Sequence, residues 1–229
     1  MTNQLNSLGI IMDGNRRFAR ARGESVAAAH LAGYDKVKEV LAWVKDLGIT
    51  TVFLYAFSTE NWGRQPVEVK ALMTLFRRFL EAEIDELCQN ETRLIFIGDL
   101  ERLPSKLKQL AIDAMARTKA GKKFNLVIAL SYGGRAELVA AAKTFARKFT
   151  GKLDQAGEPE FESCLLTAGL PDPDLIIRTG GAERLSNFLP WQSVYSELHF
   201  TPTHWPELER VELERIIANY YDRQRRFGK

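Results

Sequence analysis

Residues 50–64 read TTVFLYAFSTENWGR. The run up to Phe57 is β-branched, aliphatic and aromatic, without the polar alternation of a strand that faces water on one side, so it suits a strand covered on both faces. The run after Phe57 is polar and ends in a turn former. The same order, an apolar run and then a polar cluster, recurs along the chain. Strands are predicted over 8–12 (LGIIM), 50–57, 93–97 (RLIFI), 124–130 (FNLVIAL), 175–177 (LII) and 194–200 (VYSELHF). The clusters that follow are Asp13-Gly14-Asn15-Arg16-Arg17, Ser58 to Arg64, Gly98-Asp99, Ser131-Tyr132-Gly133-Gly134-Arg135 and Arg178-Thr179-Gly180-Gly181.

Helical patterns lie between the strands. The Ala-rich stretch 26–47 ends at Gly48, 66–88 starts at Pro66, and 104–120 starts at Pro104 and stops at Gly121. Shorter helices are predicted over 135–149 and 160–168, with a last one over 206–223 and a surface loop over 150–159. Alternating strands and helices imply an α/β fold, a parallel sheet with helices on both faces, in a single domain over 1–229. In such a sheet every polar cluster emerges at one rim, and ligands bind outside the carboxyl ends of the strands.

Composition narrows the function. Lys plus Arg is 32 and Asp plus Glu is 29, so the net charge of +3 gives no argument for nucleic acid. Two cysteines, Cys88 and Cys164, stand far apart with no CxxC, which sets aside a disulfide framework or a zinc–cysteine site and makes a reducing cytoplasm the default. The N-terminus lacks the pattern of a signal peptide, and no apolar run approaches the roughly 20 residues that span a bilayer. A soluble, cytoplasmic protein is the expectation.

The rim is built for oxyanions. Arg grips phosphate oxygens in pairs, Gly lets backbone N–H groups approach an anion, and a helix starting just after Asp13-Gly14-Asn15 would point free N–H groups at the site. Arg17, Arg64, Arg178 and Arg184 together suit two diphosphates or one nucleotide. Neither GxxxxGK[ST] nor GxGxxG occurs, which weighs against a nucleotide loop. Asp13 suits a single Mg²⁺ held with substrate phosphates, and helix N-capping is its ordinary alternative. In 66–88, Val69, Leu72, Met73, Phe76, Phe79, Leu80, Ile84 and Leu87 recur at helical spacing, a core face or a cavity wall for an apolar chain.

IIMDGNRRFARARG, LYAFSTENWGR, LVIALSYGGR, LIIRTGGAERLSNFLPWQSVYSELHF and the terminal RRFG together resemble the cis-prenyltransferases, the undecaprenyl diphosphate synthase family, in order over nearly the whole chain. The resemblance implies a central six-stranded, mostly parallel sheet surrounded by helices, with a hydrophobic tunnel. It implies an isoprenyl transferase that condenses isopentenyl diphosphate with an allylic diphosphate, farnesyl or geranyl, to a cis-polyprenyl diphosphate such as undecaprenyl diphosphate. It also implies Mg²⁺, a homodimer and a peripheral membrane contact for product release. Carried over by position, Asp13 would bind Mg²⁺ and assist departure of the allylic diphosphate, which Gly14, Asn15, Arg16 and Arg17 would cradle. Phe18 would pack beside the substrate and His30 would touch the diphosphate. Ser58, Thr59, Glu60, Asn61, Trp62 and Arg64 would border the reacting ends, Asn61 assisting proton loss. Arg178, Arg184, Leu185 and Ser186 would hold isopentenyl diphosphate, Glu197 would complete the Mg²⁺ site, and Arg226-Phe227-Gly228 would reach a neighbouring subunit.

The chemistry fits this assignment. An isopentenyl double bond is a poor nucleophile, so the allylic C–O bond must be largely broken as it attacks, and the departing diphosphate must be neutralised. Burial contributes about 0.8 kcal/mol per CH₂, hence about 4 kcal/mol per isoprene unit, enough to retain a growing chain in a tunnel. Phe124 stands where relatives place a tunnel-floor side chain. Departures from the pattern are Ser7, Arg16, Phe18, Val26, Ser131 and Glu183. Val26, where many relatives carry Arg, removes a usual diphosphate contact. Alternatives are a short-chain cis-prenyl diphosphate synthase, a non-catalytic subunit of a heteromeric prenyltransferase, and a HAD-like phosphatase, which the Ile at position 11 disfavours.

Overall fold

The computed structural model describes residues 4–223, so the expectation for Arg226-Phe227-Gly228 lies outside the described residues. The strands are β1 (Ser7–Ile11), β2 (Thr51–Ser58), β3 (Thr92–Ile97), β4 (Phe124–Tyr132), β5 (Leu175–Arg178) and β6 (Glu197–Phe200). They form a six-stranded sheet in the order β3-β4-β2-β1-β5-β6, and every pairing is parallel. Each predicted strand is present. The last is shorter than expected, because residues 194–196 form a turn before it.

The helices are α1 (Asn15–Arg22), α2 (Val26–Asp46), α3 (Pro66–Ala82), α4 (Ile84–Gln89), α5 (Ser105–Thr118), α6 (Gly134–Lys148), α7 (Glu158–Glu162) and α8 (Arg210–Asp222). Two differ in kind from the expectation. The stretch 66–88 breaks at Glu83 into α3 and α4, and the stretch 160–168 is helical only at its start. Periodicity could not show the first break, since the apolar face continues through Ile84 and Leu87, both buried in the same core.

The two faces of the sheet divide the interior. Leu8, Ile10, Val52, Leu54, Leu126 and Ile128 point toward α2, α3 and α5 in the larger cluster. Phe53, Tyr55, Val127, Ala129 and Tyr132 point the other way, onto Phe188 and Leu189. Residues on both faces are buried, which explains the lack of polar alternation in the sequence. Among the described residues no helix is long and apolar enough to cross a membrane.

The strand order sets the position of the site. From β1 the chain passes to β2 on one side, whereas β5 lies on the other side and leads outward to β6. The crevice between β1 and β5 is therefore the topological switch point, where open α/β sheets bind ligands. Asp13 leaves β1 and Arg178 ends β5 at that crevice.

Candidate active site

The carboxylate of Asp13 is the hub of the rim. Its Oδ2 accepts from Arg178 Nη2 at 2.9 Å, and its Oδ1 lies 3.0 Å from Arg17 Nη2 and accepts the Gly14 N–H at 2.7 Å. Its carbonyl oxygen accepts from Thr179 Oγ1 at 2.7 Å and from the Trp205 N–H at 3.0 Å. Burial alone would raise the Asp13 pKa, but the Arg178 hydrogen bond and the charge of Arg17 outweigh it and hold the group below its ordinary value. Asp13 does not cap α1, the ordinary alternative raised by the sequence. The N-cap is Gly14, in a left-handed conformation with no side-chain cap. That leaves the first turn of α1 open toward the crevice.

Arg178 is 4% exposed. Its Nη1 donates to Ser186 Oγ at 2.7 Å and to the Arg184 carbonyl, while its Nε has no protein partner. The guanidinium is thereby fixed at the rim by Asp13 and Ser186, with Nε a buried donor behind it. Ser186 and Asn187 both have positive φ, 50° and 68°, and the Ser186 carbonyl accepts from Tyr55 OH at 3.2 Å. The strained turn therefore aims Ser186 at Arg178. The N–H groups of Gly180 and Gly181 bond to the carbonyls of Thr203 and Thr201, so this Gly pair shapes the loop and offers no N–H to a phosphate.

The opposite lip comes from α2 and α3. Glu68 Oε1 takes both His30 Nε2, at 3.2 Å, and Arg64 Nη1, at 2.9 Å. Burial holds the His30 pKa below its ordinary value. Glu68 opposes that shift, and Arg64 and Arg16 add to it. Asn61 Oδ1 accepts the Ser58 N–H at 3.1 Å, which fixes the amide at the end of β2.

These groups share one cavity of about 890 Å³. It is lined at the mouth by Asp13, Gly14, Asn15, Arg16, Arg17, His30, Ser58, Glu60, Asn61, Arg64, Arg178, Arg184 and Ser186, all of them expected from the sequence. Deeper in, the wall is Leu54, Leu72, Leu75, Phe76, Phe79, Leu126 and Ile128. The face of 66–88 is therefore both core and cavity wall, the two alternatives shared between its residues.

Some expected residues are not brought together. Phe18 is buried with Ala19 and Ala29 on the far side of α1, under the Arg22 guanidinium, and does not line the cavity. Trp62 packs edge-to-face on Phe57 and donates to Ser131 Oγ at 3.0 Å, so it buttresses the rim from behind. Thr59 and Leu185 also lie outside the lining. Glu197 is level with Leu175 at the amino end of β6, the far end of the sheet from Asp13, and its carboxylate meets Arg223 Nη1 at 3.2 Å. Within the chain it does not join Asp13, because β6 begins only at Glu197 and the amino end of a parallel strand lies opposite the rim. Phe124 starts β4 at the end opposite the rim, where a floor is expected, and packs beneath Lys45 Nζ in the core cluster that also holds Leu126, outside the cavity lining.

Other residues were missed. Arg135, in the cluster after β4, also lines the mouth, and its backbone N–H donates to Asn187 Oδ1 at 2.8 Å. Trp205 closes the cavity beside Gly33, whose carbonyl accepts from its Nε1 at 2.7 Å. Its signal was only a Trp after β6 beside Pro206. Glu68 gave no signal beyond a carboxylate four residues after Arg64.

Among the described residues no three His, Cys, Asp or Glu side chains gather as a metal cluster. A cation here would rest on Asp13 and on substrate oxygens. That donor set fits Mg²⁺, which commonly takes one or two carboxylates plus phosphates.

The comparisons agree with this geometry. The chain is 43% identical over 224 residues to an isoprenyl transferase of Prochlorococcus marinus, covering 96% of this chain and 84% of that one. It is 44% identical over 227 residues to a tritrans,polycis-undecaprenyl-diphosphate synthase (geranylgeranyl-diphosphate specific) of Picrophilus torridus, covering 97% and 89%. The crystal structure of lavandulyl diphosphate synthase from Lavandula x intermedia, in complex with dimethylallyl diphosphate, superposes with a TM-score of 0.95 at 35% identity over 100% of both chains. The Prenyltransf (undecaprenyl diphosphate synthase) family model matches residues 11–228, and the chain belongs to that family, the cis-prenyltransferases.

Proposed function

We propose that this chain elongates an allylic diphosphate by condensation with isopentenyl diphosphate, forming a cis double bond at each step. The observation that carries the reading is one cavity with a diphosphate-sized cluster of Arg at its mouth and an apolar bore below. The allylic diphosphate would lie over the open first turn of α1, with Arg17 and Arg16 beside it and its hydrocarbon tail down the bore. Arg178, Arg184 and Ser186 would take the second diphosphate. Arg17 and Arg178 both pair with Asp13 in the free chain, so the carboxylate presets two guanidinium groups for the incoming anions.

Asp13 would hold Mg²⁺ together with substrate oxygens, and the charge supplied there would neutralise the departing diphosphate. The mouth's guanidinium groups act in the same direction by donating to the oxygens on which charge develops. Asn61, fixed by Ser58, would border the carbon that loses its proton. The apolar wall excludes water from the allylic cation, which would otherwise be captured as an alcohol.

The working unit in this reading is a homodimer in the cytoplasm with a peripheral membrane contact for product release. The outer edge of β6, which pairs with no strand among the described residues, supports the dimer, with Val194 at 68% and Tyr195 at 80% exposed just before it. The size of the cavity favours the short-chain form of the activity over undecaprenyl synthesis. About 890 Å³ lies within the roughly 300–1,000 Å³ of small-molecule pockets. Incubation of the purified chain with labelled isopentenyl diphosphate and dimethylallyl, geranyl or farnesyl diphosphate tests the reading. Incorporation is expected with at least one primer, and none with any primer defeats it.

A further inference from the structure

What stops the tail inside the bore is the next question, and the answer rests on the prenyl-elongating reading above. The lining reaches Leu54 on β2, four residues below Ser58 and about 13 Å at the usual strand rise, and Leu126 on β4, level with Val52. On α2 it runs through His30, Gly33, Tyr34 and Val37, and the next inward residues, Val40, Leu41 and Val44, belong to the packed core. The bore has room for a few isoprene units.

Tyr34 is the polar exception in its deep wall. Its hydroxyl donates to Glu83 Oε1 at 2.8 Å, and the same oxygen meets Lys38 Nζ at 2.6 Å. The Lys38 ammonium and the Arg78 guanidinium stand 5.6 Å and 5.9 Å from the centre of its ring. Glu83 is buried and occupies the break between α3 and α4. Burial and the Glu83 carboxylate both push the phenol pKa up, so the hydroxyl remains a donor. Tyr34 therefore ties α2 to the joint of the facing helices, with one side of its ring toward the cavity.

We propose that Tyr34 is a specificity-determining residue for product length, its anchored ring closing the seam between α2 and α3 and stopping the growing tail. A Leu or Met at this position would swing aside under an advancing chain. The ring of Tyr34 cannot do so without breaking its part-buried hydrogen bond to Glu83.

The test uses the purified full chain, Mg²⁺, isopentenyl diphosphate and one fixed primer, with products dephosphorylated and sorted by chain length. Tyr34→Ala is expected to move the distribution upward by one or more isoprene units. Tyr34→Phe, which keeps the ring and loses the anchor, is expected to fall between the two. Tyr34→Leu gives the same upward shift should the Ala variant fail to fold. An unmoved distribution in a folded, active Ala or Leu variant overturns the inference while leaving the activity standing. A wild-type chain that incorporates nothing overturns the elongating reading and this inference with it.

Discussion

Arg178 Nη2 donates to Asp13 Oδ2 at 2.9 Å across a separation of 165 residues. The pair spans the crevice between β1 and β5, the switch point of the sheet. The guanidinium is buried and the carboxylate is part-exposed, so the anion is the partner left accessible to ligand. On the proposed reading, an incoming diphosphate would take over the role of the carboxylate and free it.

Asp13→Asn keeps the side-chain shape and removes the charge. Loss of at least about a hundredfold in turnover is expected, since removing one preorganised charge-stabilising group commonly costs that much. The variant should also unfold more readily at neutral pH. The Asp13 pKa is depressed in the folded chain, so its stabilising contribution is present above its ordinary value of 3.8 and fades as pH falls through the lowered one. The stability gap between wild type and variant, read from urea melts, should narrow on acidification. A gap independent of pH would contradict the assigned charge state.

Glu68→Gln removes the carboxylate that His30 and Arg64 share. Glu68 raises the His30 pKa against burial, so the substitution should lower it further, visible as an acid-ward shift of the His30 ring signal in an NMR titration. With both mouth groups loosened, KM for the allylic diphosphate should rise about tenfold, the equivalent of one charge-assisted hydrogen bond. A larger fall in kcat than rise in KM would place Glu68 in the chemistry instead.

Gly14→Ala probes the entry to α1. Gly14 has φ +110°, and a Cβ there would come within 2.9 Å of the His204 backbone. A loss of about 1–3 kcal/mol is expected from the backbone strain alone. Thermal unfolding measures it, and activity should fall with it because Asp13 and the first turn of α1 flank this residue.

Removing divalent metal should silence the enzyme reversibly. Chelation is expected to abolish isopentenyl incorporation, with Mg²⁺ restoring it and the fold unchanged by circular dichroism. Full activity in chelator would exclude the role given to Asp13 as a metal ligand.

Apolar runs such as LYAF and VIAL announced their strands because a strand buried on both faces has no use for polar residues. Since every strand points the same way, the polar clusters after them necessarily meet at one rim. Asp13, Arg17, Arg64 and Arg178 were legible for that reason, each in the cluster that follows an apolar run, whereas Ser186 came only with the family resemblance. Periodicity saw one helix over 66–88 because Glu83 interrupts the backbone without interrupting the apolar face. Trp62 and Phe18 sat among polar neighbours and looked exposed to substrate, yet an aromatic ring beside a site as readily supports it from behind.

Sequence by itself determined the strands, the common rim and the phosphate-binding character of its residues, since these follow from local burial and from chain direction. Only the tertiary structure decided which distant groups touch. The late start of β6 put Glu197 at the far end of the sheet, and the packing of α2 on α3 joined His30 to Glu68 and Tyr34 to Glu83. Contacts of that kind depend on angles and offsets between elements, quantities to which no single stretch of chain is sensitive.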